Sequence, residues 1–372
     1  MSKTILITGG AGFIGSHLAD ELLRHGYQVR ALDNLSPQVH GEARQRPAYL
    51  APEVELIEGD ICDPQTVAAA LDGIDGVFHY AAAVGVGQSM YQVAEYTAVN
   101  NLGTAILLEA LIARPVEKLV VASSMSIYGE GLYRDAAGYV SGSVRRSREQ
   151  LKLGEWEPRG GDGRPLQPLP TPETKMPDLS SIYALSKYDQ ERMCLLIGEA
   201  YGIPVTALRF FNVYGPRQAL SNPYTGVLAI FAARLLNDNP PLIFEDGRQQ
   251  RDFVSVYDVA RASRLAYESA AARNEVFNIG SGQAYTIGDI AERMRRVLGK
   301  ESIEPEISGE YRVGDIRHCF ADIGKARTVL GFSPQVELEE GLLELAQWLP
   351  QEKVEDRVSV ARDELVARGL AI

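Results

Sequence analysis

Short apolar runs alternate with amphipathic stretches along the first half of the chain. The runs that predict buried strands are TILITG (4–9), QVRALD (28–33), VELIEGD (54–60), GVFHYAA (76–82) and KLVVASS (118–124). The stretches that predict helices are IGSHLADELLRHG (14–26) and TAILLEALIAR (104–114). Because strands that alternate with helices pair in parallel and are covered on both faces, the pattern predicts an α/β protein with a doubly wound parallel sheet.

The periodicity breaks after the fifth strand. Residues 131–177 are polar and rich in Gly, Pro and Arg, and they predict a long insert, either a wall or lid near a ligand or a disordered surface loop. A helix over 181–202 and a strand over 205–215 follow, and the tail after Gln351 predicts an amphipathic helix that packs on the body or contacts a partner. We expect a first domain over 1–210, to which 252–275 returns, and a smaller mixed α/β domain with the tail over 211–372.

Composition narrows the class of protein. The 372 residues carry a net charge of −12, which disfavours a nucleic-acid partner but permits an anionic small ligand beside local arginines. Three widely spaced cysteines predict neither a disulfide framework nor a metal site, so a reducing cytoplasm is expected. Strand-like residues from Thr4 leave no room for a signal peptide, and no apolar run of about 18 residues predicts a membrane span.

A glycine-rich turn, TGGAGFIGS (8–16), joins the first strand to the first helix. Gly9, Gly12 and Gly15 permit a tight turn, close approach of a pyrophosphate and close packing of helix on strand. Asp33 lies 18 residues after Gly15 at the end of the second strand, where a carboxylate accepts hydrogen bonds from ribose hydroxyls and repels a 2′-phosphate. The turn therefore predicts binding of NAD rather than NADP, although such turns also occur by chance.

A second pattern, YALSK, places Tyr183 and Lys187 four residues apart on one face of a predicted helix. A nearby ammonium favours the phenolate and makes tyrosine a usable general base. Ser124 ends the fifth strand, where ligands bind in open α/β sheets. Taken alone, the tyrosine–lysine pair is also compatible with an ordinary exposed helix.

With these motifs, the chain resembles the extended short-chain dehydrogenase/reductase family, in its nucleotide-sugar epimerase and dehydratase branch. The stretches that carry the resemblance are ILITGGAGFIGSHL, LDNLS, GDICD, VFHYAA, NNLGT, SSMSIYG, YALSK, RFFNVYGPRQ, QQRDFVSVYDVA, FNIGSGQAYTI and YRVGDIRHCFADIGKA. The resemblance implies a Rossmann fold that binds NAD. It also implies that Tyr183 takes a proton from the sugar O4, that Ser124 bonds the same hydroxyl, and that Lys187 holds the nicotinamide ribose.

The resemblance also implies the remaining ligand contacts and the assembly. The expected cofactor-binding residues are Gly9, Gly12, Phe13, Ile14, Gly15, Asp33, Asn34, Asp60, Ile61, Ala81, Ala82, Ala83, Asn100, Tyr183 and Lys187. The expected substrate-binding residues are Ser124, Met125, Asn212, Val227, Phe244, Arg251, Arg312 and Asp315. A homodimer is expected to form through a four-helix bundle of the helices over 96–113 and 183–201.

Residues after Ser124 distinguish the reactions of this branch. Dehydratases of the family carry an Asp-Glu pair there and decarboxylases a Glu, whereas this chain has Met125-Ser126. The expected activity is therefore 4-epimerisation of a nucleotide-diphosphate sugar, and the resemblance favours a dTDP-6-deoxy-L-hexose such as rhamnose or talose. UDP-glucose or UDP-glucuronate 4-epimerisation, a reductase or decarboxylase, and a non-catalytic NAD-binding scaffold stay open.

Overall fold

A computed structural model describes residues 2–219, 226–312, 314–349, 356 and 358–370. Its centre is a seven-stranded parallel sheet in the order β3-β2-β1-β4-β5-β9-β14, with elements numbered in chain order. Its strands are β1 (Thr4–Thr8), β2 (Gln28–Asp33), β3 (Glu55–Glu58), β4 (Gly76–His79), β5 (Lys118–Ser124), β9 (Val205–Phe210) and β14 (Glu275–Ile279). The strand order reverses between β1 and β4, which confirms the predicted doubly wound Rossmann sheet.

Helices cover both faces of this sheet. They are α1 (Phe13–Arg24), α2 (Pro37–His40), α3 (Pro64–Ala70), α4 (Val86–Ser89), α5 (Val93–Tyr96), α6 (Gly103–Ala113), α7 (Arg148–Lys152), α8 (Ile182–Tyr201), α9 (Val227–Leu236), α10 (Val256–Glu268), α11 (Ile287–Val297), α12 (Gly324–Leu330), α13 (Leu338–Trp348) and α14 (Val358–Ala367). Buried side chains of α1, α10 and α12 pack on one face, and those of α3, α6 and α8 pack on the other.

A second hydrophobic core lies away from the large sheet. Leu228 and Phe231 of α9 pack there with Met294 of α11 and Leu342 of α13. The remaining strands form four small sheets. Two of them have two strands each, β10 (Asn212–Tyr214) with β13 (Phe253–Ser255) and β11 (Leu242–Ile243) with β16 (Glu306–Ile307). The other two have three strands each, β12 (Gln250–Arg251) with β15 (Tyr285–Thr286) and β17 (His318–Cys319), and β6 (Leu132–Arg134) with β7 (Val140–Ser141) and β8 (Gln167–Leu169).

The insert contains regular secondary structure, which disagrees with the alternative of a disordered surface loop. Strands β7, β6 and β8 form an antiparallel sheet, and the helix α7 lies between β7 and β8 in the chain. The backbone N–H of Gly131 donates to the His318 carbonyl at 2.8 Å, and the N–H of Thr171 donates to the Phe320 carbonyl at 2.8 Å. A strand of two or three residues has no readable period, so the sequence pattern does not reveal these strands, which pair with one another inside the insert. Likewise, the strand predicted over 205–215 is interrupted at Phe211.

One helical segment contradicts the expectation that no stretch is apolar enough for a membrane. Val93–Ala113 comprises α5, a π-helical turn (Thr97–Leu102) and α6, and its 21 residues reach that length and hydropathy. Its Leu107, Leu108 and Leu111 are buried against the large sheet. Core packing therefore accounts for the apolar residues of α6 that face the sheet.

The tail helix α14 packs on the body. The Tyr91 hydroxyl donates to Glu364 Oε2 at 2.8 Å, Arg362 pairs with Glu310, and Leu365 is buried. The predicted tail began at Gln351, and residues 350–355 and 357 lie outside the described residues. These contacts agree with the packed alternative for the tail.

Candidate active site

The glycine turn lies between the end of β1 and the start of α1. Gly9 has φ +71°, and a Cβ on Gly15 would come within 2.2 Å of the Gly9 carbonyl oxygen. A Cβ on Gly12 would meet only that oxygen, at 3.4 Å, so the space in front of Gly12 is open. Phe13 and Ile14 begin the helix. Gly9 therefore allows the tight turn, Gly12 the approach of a phosphate, and Gly15 the close packing of the helix. These are the three roles of a dinucleotide-binding motif, and the turn fits NAD.

Carboxylates follow the next two strands. Asp33 Oδ2 accepts from the Ala11 N–H at 3.0 Å, which ties the end of β2 to the glycine turn. Asn34 Nδ2 donates to Asp60 Oδ2 at 3.2 Å, and this bond joins the loops after β2 and β3. Burial opposes ionisation of Asp60, but hydrogen bonds from Cys62 and Asn34 outweigh it and lower the pKa. Both carboxylates therefore lie at the edge where the adenosine of NAD is expected.

The side chain of Asn100 holds the loop 81–83, which follows β4. Asn100 is fully buried, its Oδ1 accepts from the Ala83 N–H at 2.8 Å, and its Nδ2 donates to the Ala83 carbonyl at 3.0 Å. Ala81 and Ala82 precede Ala83 in this loop. Ile61 is also buried and contacts Gly103, so only its backbone can face a ligand. Asn100 and Ile61 therefore lie behind the predicted cofactor surface.

Ser124, Tyr183 and Lys187 meet at the carboxyl edge of the sheet. Ser124 ends β5, and its Oγ accepts from the Ser126 N–H at 3.2 Å. The first turn of α8 carries Tyr183, whose backbone N–H donates to Ser89 Oγ at 3.0 Å. Lys187 follows one turn later, and the side chain of Ser124 is close enough to the Tyr183 phenol to lower its pKa against the effect of burial. The three residues that form the predicted catalytic group are thus close together.

Burial sets the ionisation of this group. It raises the pKa of the Tyr183 phenol, and the hydrogen bond with Ser124 opposes that rise. Burial also lowers the pKa of the Lys187 ammonium to about 8. Lys187 Nζ donates to Gln190 Oε1 at 2.6 Å, and Gln190 Nε2 donates to Thr104 Oγ1 at 2.9 Å. Ligands that stabilise the phenolate must therefore offset the free-energy cost of a buried negative charge on Tyr183.

A buried ion pair holds α8 against the sheet. Arg209 on β9 donates through Nε and Nη2 to the two oxygens of Glu191, at 2.9 and 2.7 Å. Glu191 Oε2 also accepts from the Ser123 hydroxyl at 2.7 Å. Ser123 adjoins Ser124, and Glu191 lies one turn after Lys187. The pair therefore keeps the helix that carries Tyr183 in register with the strand that carries Ser124.

Met125 and Ser126 begin a 3₁₀ turn beside this group. Met125 packs against the cluster that contains Ile127 and Phe211. Ser126 Oγ is buried, and no described residue bonds it. Gly129 closes the turn with φ +61°, and a Cβ there would come within 2.5 Å of the Asp178 carbonyl oxygen. The turn thus presents a thioether and a free hydroxyl where dehydratases of the branch are expected to have acids.

The predicted substrate arginines, Arg251 and Arg312, lie beside Asp315 and Phe244, and we call this part of the site the arginine edge. The Arg312 guanidinium lies 4.8 Å above the Phe244 ring and donates to Asp315 Oδ2 at 2.8 Å. Burial would raise the pKa of Asp315, but Arg312 and Arg251 lower it to about 2. Arg251 donates to the carbonyls of Gln250, Ile316 and Arg317, and its Nη2 lies 3.5 Å from Asp315. Arg312 is therefore freer than Arg251 to bind phosphate in a bidentate manner.

Two other predicted contacts lie nearby. Asn212 in β10 donates through Nδ2 to the Asp252 carbonyl at 2.8 Å, which leaves its second amide hydrogen for a ligand. Val227 begins α9 and packs against the second core. Asp252 accepts from Ser281, Gly282 and Ala321 and braces their turn. Asn212 thus has a defined orientation, and Val227 lies at an exposed helix start.

A cavity of about 280 Å³ joins this edge to the insert. Arg312 and Asp315 line one side, and Val144, Arg148 and Leu151 of the insert line the other. Arg145 and Asp178 at its mouth form an ion pair at 2.9 Å. Since Ser124, Tyr183 and Lys187 do not line it, the cavity extends from the arginine edge of the site.

Comparison with known proteins decides the family. A model of the NAD dependent epimerase/dehydratase family matches residues 5–149 and 158–280. The chain belongs to this NAD dependent epimerase/dehydratase family. It is 37% identical to a dTDP-L-rhamnose 4-epimerase of Burkholderia thailandensis over 94% of this chain and 96% of that one.

Solved structures of epimerases share the fold. One is a UDP-glucose 4-epimerase of Thermotoga maritima with UDP-glucose, with a TM-score of 0.75, 33% identity, and coverage of 94% of this chain and 99% of that one. Another is a UDP-glucuronic acid 4-epimerase of Bacillus cereus with UDP-glucuronic acid and NAD, with a TM-score of 0.76, 30% identity and the same coverage. The NAD dependence of the family agrees with the geometry of the glycine turn.

Two residues of this epimerase-family site were missed by reasoning from sequence. Ser89 bonds the backbone of Tyr183, and Gln190 bonds Lys187. Ser126, which the SSMSIYG motif already singles out beside Met125, offers a hydroxyl that no described residue bonds. Ser89 and Gln190 carried no usable signal, because serine and glutamine are common on helices and only their tertiary contacts distinguish them.

Proposed function

We propose that this protein is an NAD-dependent nucleotide-sugar 4-epimerase, an isomerase. The observation that carries the proposal is the convergence of Ser124, Tyr183 and Lys187 at the carboxyl edge of the sheet. The open space before Gly12 and the carboxylate of Asp33 support NAD as its cofactor. Such a site performs acid–base chemistry at an alcohol next to a cofactor that performs the redox step.

In this mechanism the chain's residues handle the proton of the sugar hydroxyl. Tyr183 removes the proton from O4, and the Ser124 hydroxyl bonds the same oxygen. The Lys187 ammonium holds the nicotinamide ribose and favours the phenolate. When bound, NAD⁺ supplies the reversible hydride acceptor for C4. The 4-keto sugar then turns over, and Tyr183 returns the proton to O4 after reduction of the opposite face.

The wall beside Ser124 favours epimerisation over elimination. Loss of water across C5–C6 needs a base and an acid at the sugar, whereas Met125 and Ser126 occupy those positions. Glu130 and Asp178, which line the neighbouring cavity, are engaged with Tyr133 and with Arg145. A flexible thioether is a suitable wall for a sugar that must rotate.

A dTDP-6-deoxy-L-hexose of the rhamnose or talose type is the proposed substrate. The relative from Burkholderia thailandensis, which matches over nearly its whole length, supports this choice. The structures with UDP-glucose and UDP-glucuronic acid favour UDP-sugars as the alternative. In either case the proposal assigns the diphosphate to Arg312 and a ribose hydroxyl to Asp315.

The test is incubation of the purified protein with a panel of dTDP-, UDP- and GDP-sugars, followed by chromatography, mass spectrometry and NMR. We expect a dTDP-6-deoxy-L-hexose to reach a mixture of C4 epimers of unchanged mass without net NADH. A product of altered mass or a net change in NADH would identify a decarboxylase or reductase instead. Bound NAD with no turnover of any sugar would favour a non-catalytic scaffold.

We also propose that the protein is a cytoplasmic homodimer. Each chain would have two domains, over 1–210 and 211–372. Leu102, Leu185 and Leu196 on the helical segments predicted to pair are 52%, 42% and 55% exposed. Burying such side chains between two copies would remove apolar surface from water. Light scattering after size-exclusion chromatography should give twice the monomer mass, and the double variant Leu185→Glu, Leu196→Glu should give the monomer.

A further inference from the structure

A buried ion-pair network joins the insert to the segments that carry the predicted substrate contacts. We call it the insert network, and its members are Glu130, Arg146, Glu157, Glu245, Asp246, Arg317 and His318. Two of them, Arg146 and Glu157, belong to the insert. Glu245 and Asp246 directly follow Phe244, and Arg317 lies two residues after Asp315. The network therefore contacts both segments that carry predicted substrate residues, the one at Phe244 and the one at Asp315.

Arg317 lies at the centre of the insert network. Its side chain is 0% exposed, and its Nε and Nη2 donate to Glu157 Oε1 at 3.0 and 2.5 Å. Its Nη1 donates to Glu245 Oε2 at 2.9 Å and to Asp246 Oδ1 at 2.7 Å. A buried guanidinium is costly unless anionic acceptors surround it. The position of Arg317 therefore depends on a carboxylate that the insert supplies.

Glu157 also controls the strand that carries Arg251. Its Oε2 lies 2.9 Å from His318 Nε2, and His318 Nδ1 lies 3.1 Å from the backbone N of Gln250. Because Nδ1 accepts from that N–H, the proton of the neutral imidazole must be on Nε2 and point to Glu157. One carboxylate thus bonds two successive residues, Arg317 and His318, and through His318 it aligns β17 with β12.

Arg146 links the insert to the other half of the edge. Its side chain is 4% exposed, its Nη1 donates to Glu245 Oε1 at 2.7 Å, and its Nη2 donates to the Asp315 carbonyl at 3.2 Å. Arg251 in turn donates to the Ile316 and Arg317 carbonyls at 2.6 and 2.9 Å. A shift of the backbone over 315–317 would therefore move Arg251 and Asp315 together.

From these contacts we infer that Arg146 and Glu157 are positioning residues for nucleotide-diphosphate binding, and that Glu157 acts through Arg317. The inference rests on the proposed function and assigns the insert a part in it. Neither residue touches the substrate. They hold the backbone that presents Arg251, Arg312, Asp315 and Phe244 at the geometry a diphosphate requires, because binding residues need support to keep their orientation.

The test compares Glu157→Gln and Arg146→Met with Glu155→Gln in the full-length protein. A glutamine at 157 keeps the shape of the glutamate. Its amide group must face either His318 or Arg317, and because both of these side chains are donors, the hydrogen bonding on that side is lost. Glu155 is a matched control, since it lies in the insert and its one ion-pair partner among the described residues is the exposed Arg159, at 3.3 Å. Calorimetry with dTDP, steady-state kinetics, NAD content and thermal melting are measured for each.

We expect both network variants to bind dTDP about tenfold more weakly and to raise KM for the sugar nucleotide by a similar factor. Their kcat should stay within about twofold of the parent, and their NAD content should not change. Glu155→Gln should match the parent in every measurement. Arg146→Met is a second, independent variant because Arg317 keeps its three carboxylate partners in it.

A lower melting temperature with unchanged dTDP affinity and KM would mean a merely structural role and would overturn the inference. Equal losses in Glu155→Gln would overturn it as well, as would a parent protein that binds neither dTDP nor UDP. Since dTDP binding needs no turnover, a parent that binds dTDP but epimerises no sugar refutes the proposed function alone. The affinities of the variants for dTDP then still decide the inference.

Discussion

The ammonium of Lys187 donates to the side-chain oxygen of Gln190 at 2.6 Å, and both residues are buried. Gln190 Nε2 also lies 2.9 Å from Thr104 Oγ1 and 3.2 Å from His79 Nε2. Burial and Lys187 lower the pKa of His79 to about 3, so this imidazole is neutral at pH 7. A neutral amide is therefore the direct partner of the lysine that the proposed mechanism requires to be charged.

Replacing Gln190 should change the charge state of Lys187. In Gln190→Leu the buried ammonium loses its hydrogen-bond partner, so the pKa of Lys187 falls below its present value of about 8. We expect the alkaline limb of the pH profile of kcat/KM to move to lower pH. Gln190→Glu adds an anion beside the ammonium and should move the limb to higher pH. Identical limbs in both variants would contradict this assignment.

Tyr183→Phe removes the proposed proton acceptor and little else. The ring keeps its edge contact with Tyr96, and the backbone bond to Ser89 does not involve the hydroxyl. Turnover should fall by a factor of about 10² to 10⁴, which is typical for loss of a general acid–base group. NAD content and melting temperature should match the parent. Retention of full activity would rule out Tyr183 as the base.

Ser124→Ala should shift the acid limb of the pH profile. The hydrogen bond with Ser124 lowers the pKa of Tyr183, whereas burial raises it. Without the hydroxyl the pKa rises, so more of the enzyme stays protonated at a given pH and the acid limb moves to higher pH. Ser124→Thr keeps a hydroxyl and is the control. The measurement is kcat/KM against pH for the three proteins.

Two glycines of the turn should respond differently to alanine. In Gly15→Ala the Cβ would lie 2.2 Å from the Gly9 carbonyl oxygen, so the turn must distort and the melting temperature should fall. In Gly12→Ala the nearest atom is at 3.4 Å, so the fold should persist while the methyl group occupies the space needed by a pyrophosphate. Gly161→Ala is the control, since nothing lies within 4 Å of its added Cβ.

NAD content after purification and thermal melting separate the two outcomes. Gly12→Ala should lose NAD at an unchanged melting temperature, and Gly15→Ala should lose both NAD and stability. If Gly12→Ala retained the parent's NAD content, the assignment of Gly12 to the pyrophosphate would be wrong.

Breaking the buried pair beneath α8 should be costly. Glu191→Leu leaves Arg209, whose side chain is 6% exposed, without its carboxylate. Removing one partner of a buried pair typically costs about 3–5 kcal/mol. The free energy of unfolding from urea titration checks this value. Lys3→Met, which breaks the exposed pair with Glu117, should change it by less than about 1 kcal/mol.

Local patterns were sufficient for every strand of the large sheet except β14, and for the positions of the residues predicted to be catalytic. The apolar runs of β1, β4 and β5 are buried on both faces, so composition alone marks them as strands. Tyr183 and Lys187 lie on one helical face because of their spacing of four residues. Ser124 needed no tertiary information either, since it ends a strand.

The strands of the Rossmann sheet, the glycine turn and the tyrosine–lysine pair could be predicted from local residues, because each depends on residues within one strand, turn or helix. The fold of the insert and its contacts with the site could be found only in the folded chain. Glu157 meets Arg317 across 160 residues of chain. The ends of the insert bond distant backbone as well, since the N–H of Thr171 donates to the carbonyl of Phe320. Pairings of this kind depend on where distant backbone and buried charges meet, and no local pattern records that.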